Sequence, residues 1–465
     1  MFRAFQHRAH SAVLLDAGMD AILGFIAVLM AAWMVGSEPM AELRQTLTNP
    51  SLVLAAVGFA ICMSMLQSFL GLYRAVGLSF ASQLMRLLVA LTVGGYLTYL
   101  ALKEFGFEGH PSRLVSHSVI NLLVAILVVR GGLMLMRSAQ GRSRVIIVGT
   151  GPEAISVAKD LKTSSRVRGE VLGFYPTSGQ ATNEGIEGRM VLDAGRPLNE
   201  LVQELQVDSI IVAMREQRGG AMPMDQLLLC RSMGIPVMDL AGFYERTHAE
   251  VPLDSLKASW LVYGPGFVQG RTRRALKRVF DIVSSSLLLL LALPVMIVAA
   301  IAIKLDSRGP VIYRQERVGL GGRSFMCLKF RSMSTDAERD GVARWATKND
   351  ARVTRVGRII RKTRIDELPQ LFSVLKGEMS IVGPRPERPS FVKQLQGQVA
   401  FYDLRHSVKP GVTGWAQVRY CYGASVEDAR RKHQFDLYYV KNNSLLLDIV
   451  ILIETVSVVL FGEGQ

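Results

Sequence analysis

Adjacent carboxylates ringed by fixed positive charge stand out in Arg361-Lys362-Thr363-Arg364-Ile365-Asp366-Glu367-Leu368-Pro369-Gln370-Leu371. Downstream, Gly383-Pro384-Arg385-Pro386-Glu387 sets an arginine between two prolines, which stiffen the loop that carries it. Lys329-Phe330-Arg331-Ser332-Met333 precedes the acidic pair, and Lys409 to Gln417 follows it. Converging arginines and lysines bind a diphosphate, with arginine forked onto its oxygens. The pair Asp366 and Glu367 would hold Mg²⁺, a hard cation that takes carboxylate and phosphate oxygens. A carboxylate can also attack phosphorus and form an acyl phosphate. Nearby cations are expected to lower its pKa and to offset charge developing in the transition state. Plainer readings exist for each piece. Asp366-Glu367 could open a helix, Arg385 could sit in a surface turn, and Trp415 could be core.

The elements that position these residues belong to a hybrid chain. It has 465 residues, 49% apolar and 20% charged, with positive mean hydropathy. That excludes a disordered chain and sits poorly with an ordinary soluble enzyme. Cys62, Cys230, Cys327 and Cys421 are too scattered for a disulfide framework or a zinc site. The net charge of +15 is uneven. Residues 271–465 hold 32 Lys/Arg against 18 Asp/Glu, and the first 270 are nearly balanced. The basic C-terminal part therefore points to an anionic partner: small-molecule phosphates, lipid headgroups or nucleic acid. A merely solvated basic face is the alternative.

Residues 1–140 carry four apolar runs, Val13–Val35, Leu52–Tyr73, Leu84–Leu102 and Leu114–Leu135. Each approaches the roughly 20 residues of a bilayer crossing. The first is too long and too acidic, with Asp16 and Asp20, for a cleaved signal peptide, and its span is expected to start nearer Ala21. Arg3, Arg8, Arg74, Arg86, Arg130, Arg137, Arg142 and Arg144 flank alternate ends, whereas the loops near Glu38–Arg44 and Lys103–Arg113 are less basic. The positive-inside rule then puts both ends of a four-helix transmembrane bundle in the cytoplasm.

Residues 141–268 read as a Rossmann-like α/β domain. Arg144–Val148 is a buried strand, Gly149-Thr150-Gly151-Pro152-Glu153-Ala154 is G-x-G-x-x-A, and Ile155–Leu161 is helical. Further strands are expected at Val171–Tyr175, Ser209–Ala213 and Ile235–Asp239. No carboxylate ends the second strand, Phe174-Tyr175-Pro176. The glycines thus serve either a dinucleotide or only close packing of helix on strand.

Residues 269–465 open on a fifth apolar run, Ile282–Ile303, interrupted at Leu293-Pro294. Both flanks are basic: Arg271, Arg273, Arg274, Lys277 and Arg278 before it, Lys304, Arg308, Arg314 and Arg317 after it. A helix over 279–304, broken at Pro294, that dips in and returns satisfies both flanks. An ordinary proline-kinked span is the alternative. The last apolar stretch, Leu445–Phe461, carries Asp448 and Glu454, which argue against a crossing and for an interfacial or packed helix.

From Lys277 onward the chain resembles the bacterial sugar transferase family, the monotopic phosphoglycosyl transferases. The matching stretches are Lys277-Arg278-Val279-Phe280-Asp281, the proline-bearing apolar run, Lys329–Met333, Asp366–Gln370, Val382–Pro386 and Lys409–Gln417. With four spans and a nucleotide-fold domain upstream, it is similar to the large polyprenyl-phosphate hexose-1-phosphate transferases of capsule, O-antigen and exopolysaccharide synthesis. The resemblance implies that Asp366 attacks the β-phosphorus of a UDP-sugar, expels UMP and passes the sugar-phosphate to undecaprenyl phosphate. It implies that Glu367 positions Mg²⁺ or moves protons, and that Arg361 and Arg385 contact phosphate, with Lys329 and Arg331 as further candidates. The sugar is expected to be a hexose such as glucose or galactose. The expected setting is the bacterial inner membrane, with the catalytic domain in the cytoplasm, and a homodimer is an open expectation.

Two departures stand out. Family members often have Ser-Pro where this chain has Leu293-Pro294, and an Asn-Gly-Arg-type stretch where it has Arg419-Tyr420-Cys421-Tyr422-Gly423. The alternatives are a membrane-tethered nucleotide-sugar dehydratase or oxidoreductase and a non-enzymatic scaffold of a polysaccharide export complex. The first should show a Tyr-x-x-x-Lys pair in the nucleotide-fold domain, and residues 141–268 hold none. Nucleic acid is disfavoured, because the arginine-rich loops lack interleaved aromatics.

Overall fold

Long charge-poor runs have no way to satisfy their backbone in lipid except as helices. In the computed structural model they form α1 (Arg8–Val35), α2 (Pro50–Phe69), α3 (Phe80–Glu104) and α4 (Pro111–Ala139). The structure describes residues 8–35, 50–70, 72–73, 80–105, 107, 110–139, 143–163, 169–177, 186, 190–214, 222–253, 256, 261, 266–267, 270–335, 337, 350, 352–420, 423 and 425–461. Arg3, Arg74, Arg142, the segment 38–44, and Cys421 and Tyr422 lie outside them. The chain divides into two units, Met1–His248 and Ala249–Gln465.

In the first unit α1 to α4 share one apolar core, with Ala27, Ala31, Ala56, Phe59, Met63, Leu91, Leu122 and Ile126 buried in it. The alanines let backbones approach closely, as helix packing in lipid favours. The apolar stretch of α1 described as long enough to cross a membrane runs over Leu15–Val35, and Asp20 lies within it. Its carboxylate turns inward, 2.5 Å from Arg130 on α4, and accepts a 3.0 Å hydrogen bond from the Tyr73 hydroxyl.

The same unit holds a parallel sheet of β1 (Ser143–Val148), β2 (Gly169–Tyr175), β3 (Ser209–Val212) and β4 (Val237–Asp239), in the order β2-β1-β3-β4. The helices α5 (Pro152–Thr163), α6 (Leu198–Glu204), α7 (Met224–Ser232) and α8 (Leu240–Thr247) connect and follow the strands. Strand residues alternate faces. Val145 and Ile147 enter a core with α5 and α8, whereas Ile146 and Val148 enter one with α6 and α7. Strand β4 starts two residues later than expected. Gly149 leaves β1 at φ +116°, a conformation natural to glycine.

The second unit opens with α9 (Arg271–Asp306), whose 36 residues remain helical through Pro294. The expected break is thus not a loss of helix. Proline removes one rung of the ladder, and the turns on either side persist. One stripe of α9 is buried (Asp281, Ser285, Met296, Ala299, Ile303). The remainder is apolar and open, with Leu290 70% and Val298 66% exposed, a surface suited to lipid and not to water. With α9, five helices among the described residues are long and apolar enough to cross a membrane.

Both ends of α9 are fixed to this one unit. Near its start, Arg278 donates to the carbonyls of Val374 and Leu375, both at 2.6 Å. Asp281 accepts from the Ser380 hydroxyl at 2.9 Å and the Ile381 amide at 3.2 Å. At its far end, Asp306 accepts from the Val356 amide at 3.1 Å. The rest of the unit comprises β5 (Ile312–Val318) and β6 (Ser324–Phe330), an antiparallel pair. It continues with α10 (Arg355–Lys362), α11 (Gln370–Lys376), β7 (Ser380–Val382), α12 (Pro389–Gln396), β8 (Gly411–Thr413), α13 (Trp415–Arg419), α14 (Val426–Asn442) and α15 (Leu445–Phe461). The two carboxylates of α15 turn inward. Asp448 pairs with Lys277 of α9 at 2.8 Å, and Glu454 pairs with Arg419 of α13 at 2.7 Å.

Candidate active site

Asp366 and Glu367 sit on one 3₁₀ turn, Ile365–Glu367, between α10 and α11. The chain enters that turn through Arg364, held left-handed at φ +58°. For a residue with a Cβ this costs roughly 1–2 kcal/mol, and strain of this kind gathers at functional sites. Pro369 then leads into α11, so the acidic pair cannot slide into a longer helix. Both side chains are buried, at 8% and 7% exposure.

Their environments differ sharply. Oε1 of Glu367 accepts from Nη2 of Arg385 at 2.8 Å and from Nζ of Lys329 at 3.2 Å. Nη1 of Arg364 lies 3.9 Å away. Burial would raise the pKa of Glu367. Arg385, Lys329 and Arg364 together overturn that and hold the carboxyl well below the usual range. Among the described residues Asp366 has no such partner, and its Oδ1 is buried without a hydrogen bond. Burial, and then the Glu367 anion, push its pKa up to about 6 against the pull of Lys329, Arg385 and Arg364. The sequence alone leads one to expect cations to lower it. The structure reverses the direction, because burial and the neighbouring Glu367 anion outweigh the cations.

Arg385 is presented by a loop gripped from behind. Arg405 donates to the Arg385 carbonyl at 2.9 Å, and is itself held by Asp436 at 2.8 Å and by the Tyr402 hydroxyl. Arg317 donates to the Pro386 carbonyl at 3.0 Å. Gly383 has room for no side chain, since a Cβ there would run into the Lys409 carbonyl. The Lys409–Gln417 motif is therefore partly scaffold. Trp415 is core, as its plainer reading allowed, with Nε1 donating to the Ala249 carbonyl at 2.8 Å. Gln417 lines the cavity.

Arg331 lines the cavity and also has a structural task that the sequence did not suggest. It donates to the carbonyls of Arg308 (3.0 Å) and Ser307 (2.7 Å) and to the Ser307 hydroxyl (3.0 Å), closing the carboxyl end of α9. Arg331→Met should lower the thermal midpoint in detergent by an amount equivalent to about 3 kcal/mol, because buried carbonyls lose a charged donor. An unchanged midpoint would remove Arg331 from that role. Arg361 does line the cavity, and among the described residues it has no ion-pair partner.

The cavity has a volume of about 690 Å³, within the range of small-molecule sites. It brings together Asp366, Glu367, Lys329, Arg331, Arg361 and Arg385, and Pro294 is not among its walls. Ten lysines and arginines line it against four carboxylates, a field that favours a polyanion. Among the described residues no group of three or more His, Cys, Asp or Glu could hold a metal alone. The unpartnered Oδ1 of Asp366 fits a Mg²⁺ ion that draws its other ligands from a bound diphosphate.

Sequence reasoning missed Arg317, Arg405, Asp436 and Lys432. Only Asp436 left a signal: an acid between Phe435 and Leu437 on a helix whose neighbours are buried.

Residues 272–462 match the family described as bacterial sugar transferase. A protein of Aeromonas hydrophila, named UDP-N-acetylgalactosamine-undecaprenyl-phosphate N-acetylgalactosaminephosphotransferase, is 44% identical over 51% of this chain and 55% of its own. The chain thus spans little over half the length of that relative. A UDP-glucose:undecaprenyl-phosphate glucose-1-phosphate transferase of Klebsiella pneumoniae is 36% identical over 69% of this chain and 68% of its own. A UDP-galactose-lipid carrier transferase of Erwinia amylovora is 34% identical over 71% of each chain.

Proposed function

This chain belongs to the bacterial sugar transferase family, and on that premise we propose that it moves a sugar 1-phosphate from a UDP-hexose to undecaprenyl phosphate, releasing UMP. The observation that carries the reading is the asymmetry of the acidic pair: Glu367 saturated by cations, Asp366 buried with an open oxygen. A carboxylate raised to about 6 is ionised at neutral pH and more basic than an ordinary aspartate, which suits a nucleophile.

In the first step a carboxylate oxygen of Asp366 bonds to the β-phosphorus. The bond from that phosphorus to the bridging oxygen breaks, and UMP leaves with the electron pair. In the second step an oxygen of the prenyl phosphate bonds to the same phosphorus, and the Asp366 carboxylate departs unchanged. Arg385 and Lys329 neutralise charge on the non-bridging oxygens, Arg361 takes the outer phosphate, and Glu367 keeps Arg385 and Lys329 in place. Mg²⁺, held by Asp366 and diphosphate oxygens, would supply further charge neutralisation. Every group used comes from one chain.

Both ends of α9 are fixed to the same unit. We read α9 as re-entrant, with the catalytic unit on the cytoplasmic face of the inner membrane, as the basic flanks favour. One substrate then arrives from water and the other from lipid.

The test is release of UMP from a panel of UDP-sugars by the full chain in lipid nanodiscs. One equivalent should appear without prenyl phosphate and continuous turnover with it, the pattern of ping-pong exchange. No UMP from any sugar would sink the proposal. The value of kcat/KM for the UDP-sugar should rise with pH through a limb near 6, where Asp366 loses its proton. Glu367, held low, contributes no limb there. A flat profile between about pH 5 and 7 would exclude Asp366 as the attacking group.

A further inference from the structure

One wall of the cavity is built by residues that the transfer mechanism does not use. The chain leaves α9 at Asp306 and enters β5 at Ile312. Pro310 and Tyr313, just beyond the end of that apolar helix, line the cavity. Tyr313 stands directly opposite Lys329 in the β5–β6 pair, so the two side chains rise from the same face. Lys329 is in turn 3.2 Å from Glu367. One residue pair thus separates the end of the membrane helix from the acidic dyad.

The row continues along β5. Gln315 lies two residues on, with Nε2 3.4 Å from the Tyr313 hydroxyl. Next on that face is Arg317, which holds the loop of Arg385. At the end of α9, a few residues before Tyr313, the surface mixes apolar and cationic character. The ring is 42% exposed and Leu305 is 84% exposed, and Lys304 and Arg308 are also exposed. A phenol ring with one wet and one apolar side is favoured where lipid meets water.

We propose that Tyr313 marks the acceptor side of the cavity: the phosphate head of the prenyl lipid reaches Asp366 by passing over this ring, between β5 and the end of α9. The proposal rests on the transfer reaction and adds the route of its lipid substrate. The ring gives the first prenyl unit an apolar face, Lys304 and Arg308 draw in the phosphate, and Lys329 receives it beside the dyad.

Ping-pong exchange separates the two substrates, so the test reads each half-reaction in the full chain in nanodiscs. Tyr313→Ala should raise KM for undecaprenyl phosphate about tenfold, the loss of an aromatic contact. Labelling of the protein by radioactive UDP-sugar should change far less. Tyr313→Phe, which keeps the ring, should recover most of the affinity. Tyr313→Glu repeats the test should the alanine variant fail to fold, since a half-exposed position tolerates a charge that would repel the incoming phosphate. Equal slowing of both half-reactions would overturn the proposal by assigning this wall to the nucleotide sugar. An unaltered KM for the lipid in either variant would overturn it too. Wild-type enzyme that neither labels nor releases UMP would remove the transfer reaction itself, and this route with it.

Discussion

Asp366→Asn should abolish formation of the labelled protein intermediate and cut UMP release by at least about a thousandfold, the usual consequence of removing a nucleophile. Asparagine has nearly the same shape, so the 3₁₀ turn and the Glu367 cluster should survive. The amide cannot form and surrender an acyl phosphate. Stability should move the other way. The pKa of Asp366 is raised on folding, from 3.8 to about 6, so its ionised form opposes folding above that range, and stability is lost as pH rises through about 6. A neutral side chain lifts that opposition. The variant should melt at or above the wild-type temperature at neutral pH while being inactive. Wild-type labelling by Asp366→Asn would exclude the covalent mechanism, and a lower melting temperature would contradict the burial argument.

Glu367→Gln has the second largest expected effect, roughly a hundredfold in turnover, as for the loss of one group in a preorganised charge array. Two consequences combine. Arg385 and Lys329 lose the oxygen that positions them. They are then drawn to Asp366, so that the attacking oxygen becomes an ion-paired one. The sign of the accompanying pKa change is fixed. The Glu367 anion raises the pKa of Asp366, so removing it lowers that pKa. The acid limb of kcat/KM should move below 6 even as the plateau falls. A plateau that falls with an unmoved limb would mean that Glu367 does not act through Asp366.

The acidic pair, Lys329 and Arg385 were legible because residue type and spacing alone made them unusual. Their division of labour was not. Whether cations or burial decides the pKa of Asp366 depends on which carboxylate the cations reach, and adjacent residues on a 3₁₀ turn point in different directions. The structural task of Arg331 was illegible for a related reason. It stands two residues from Lys329 in the chain, but its guanidinium turns to the end of α9 while the lysine turns to Glu367. Arg405 and Asp436 are 31 residues apart and each is unremarkable in its own segment. Asp20 and Arg130, 110 residues apart, illustrate the same limit: the pair is made by the fold and leaves no local trace. The strands and long helices needed no such knowledge, because their periodicity is local.

On the proposed re-entrant reading, anchoring both ends of α9 would also decide where the product goes. A helix that enters and leaves by one surface dips into a single leaflet, and would draw its lipid only from that leaflet. The glycolipid of the proposed transfer would remain there, its sugar facing the compartment in which it was assembled. Display on the opposite side would require a separate flipping step, to which this fold offers no contribution through α9.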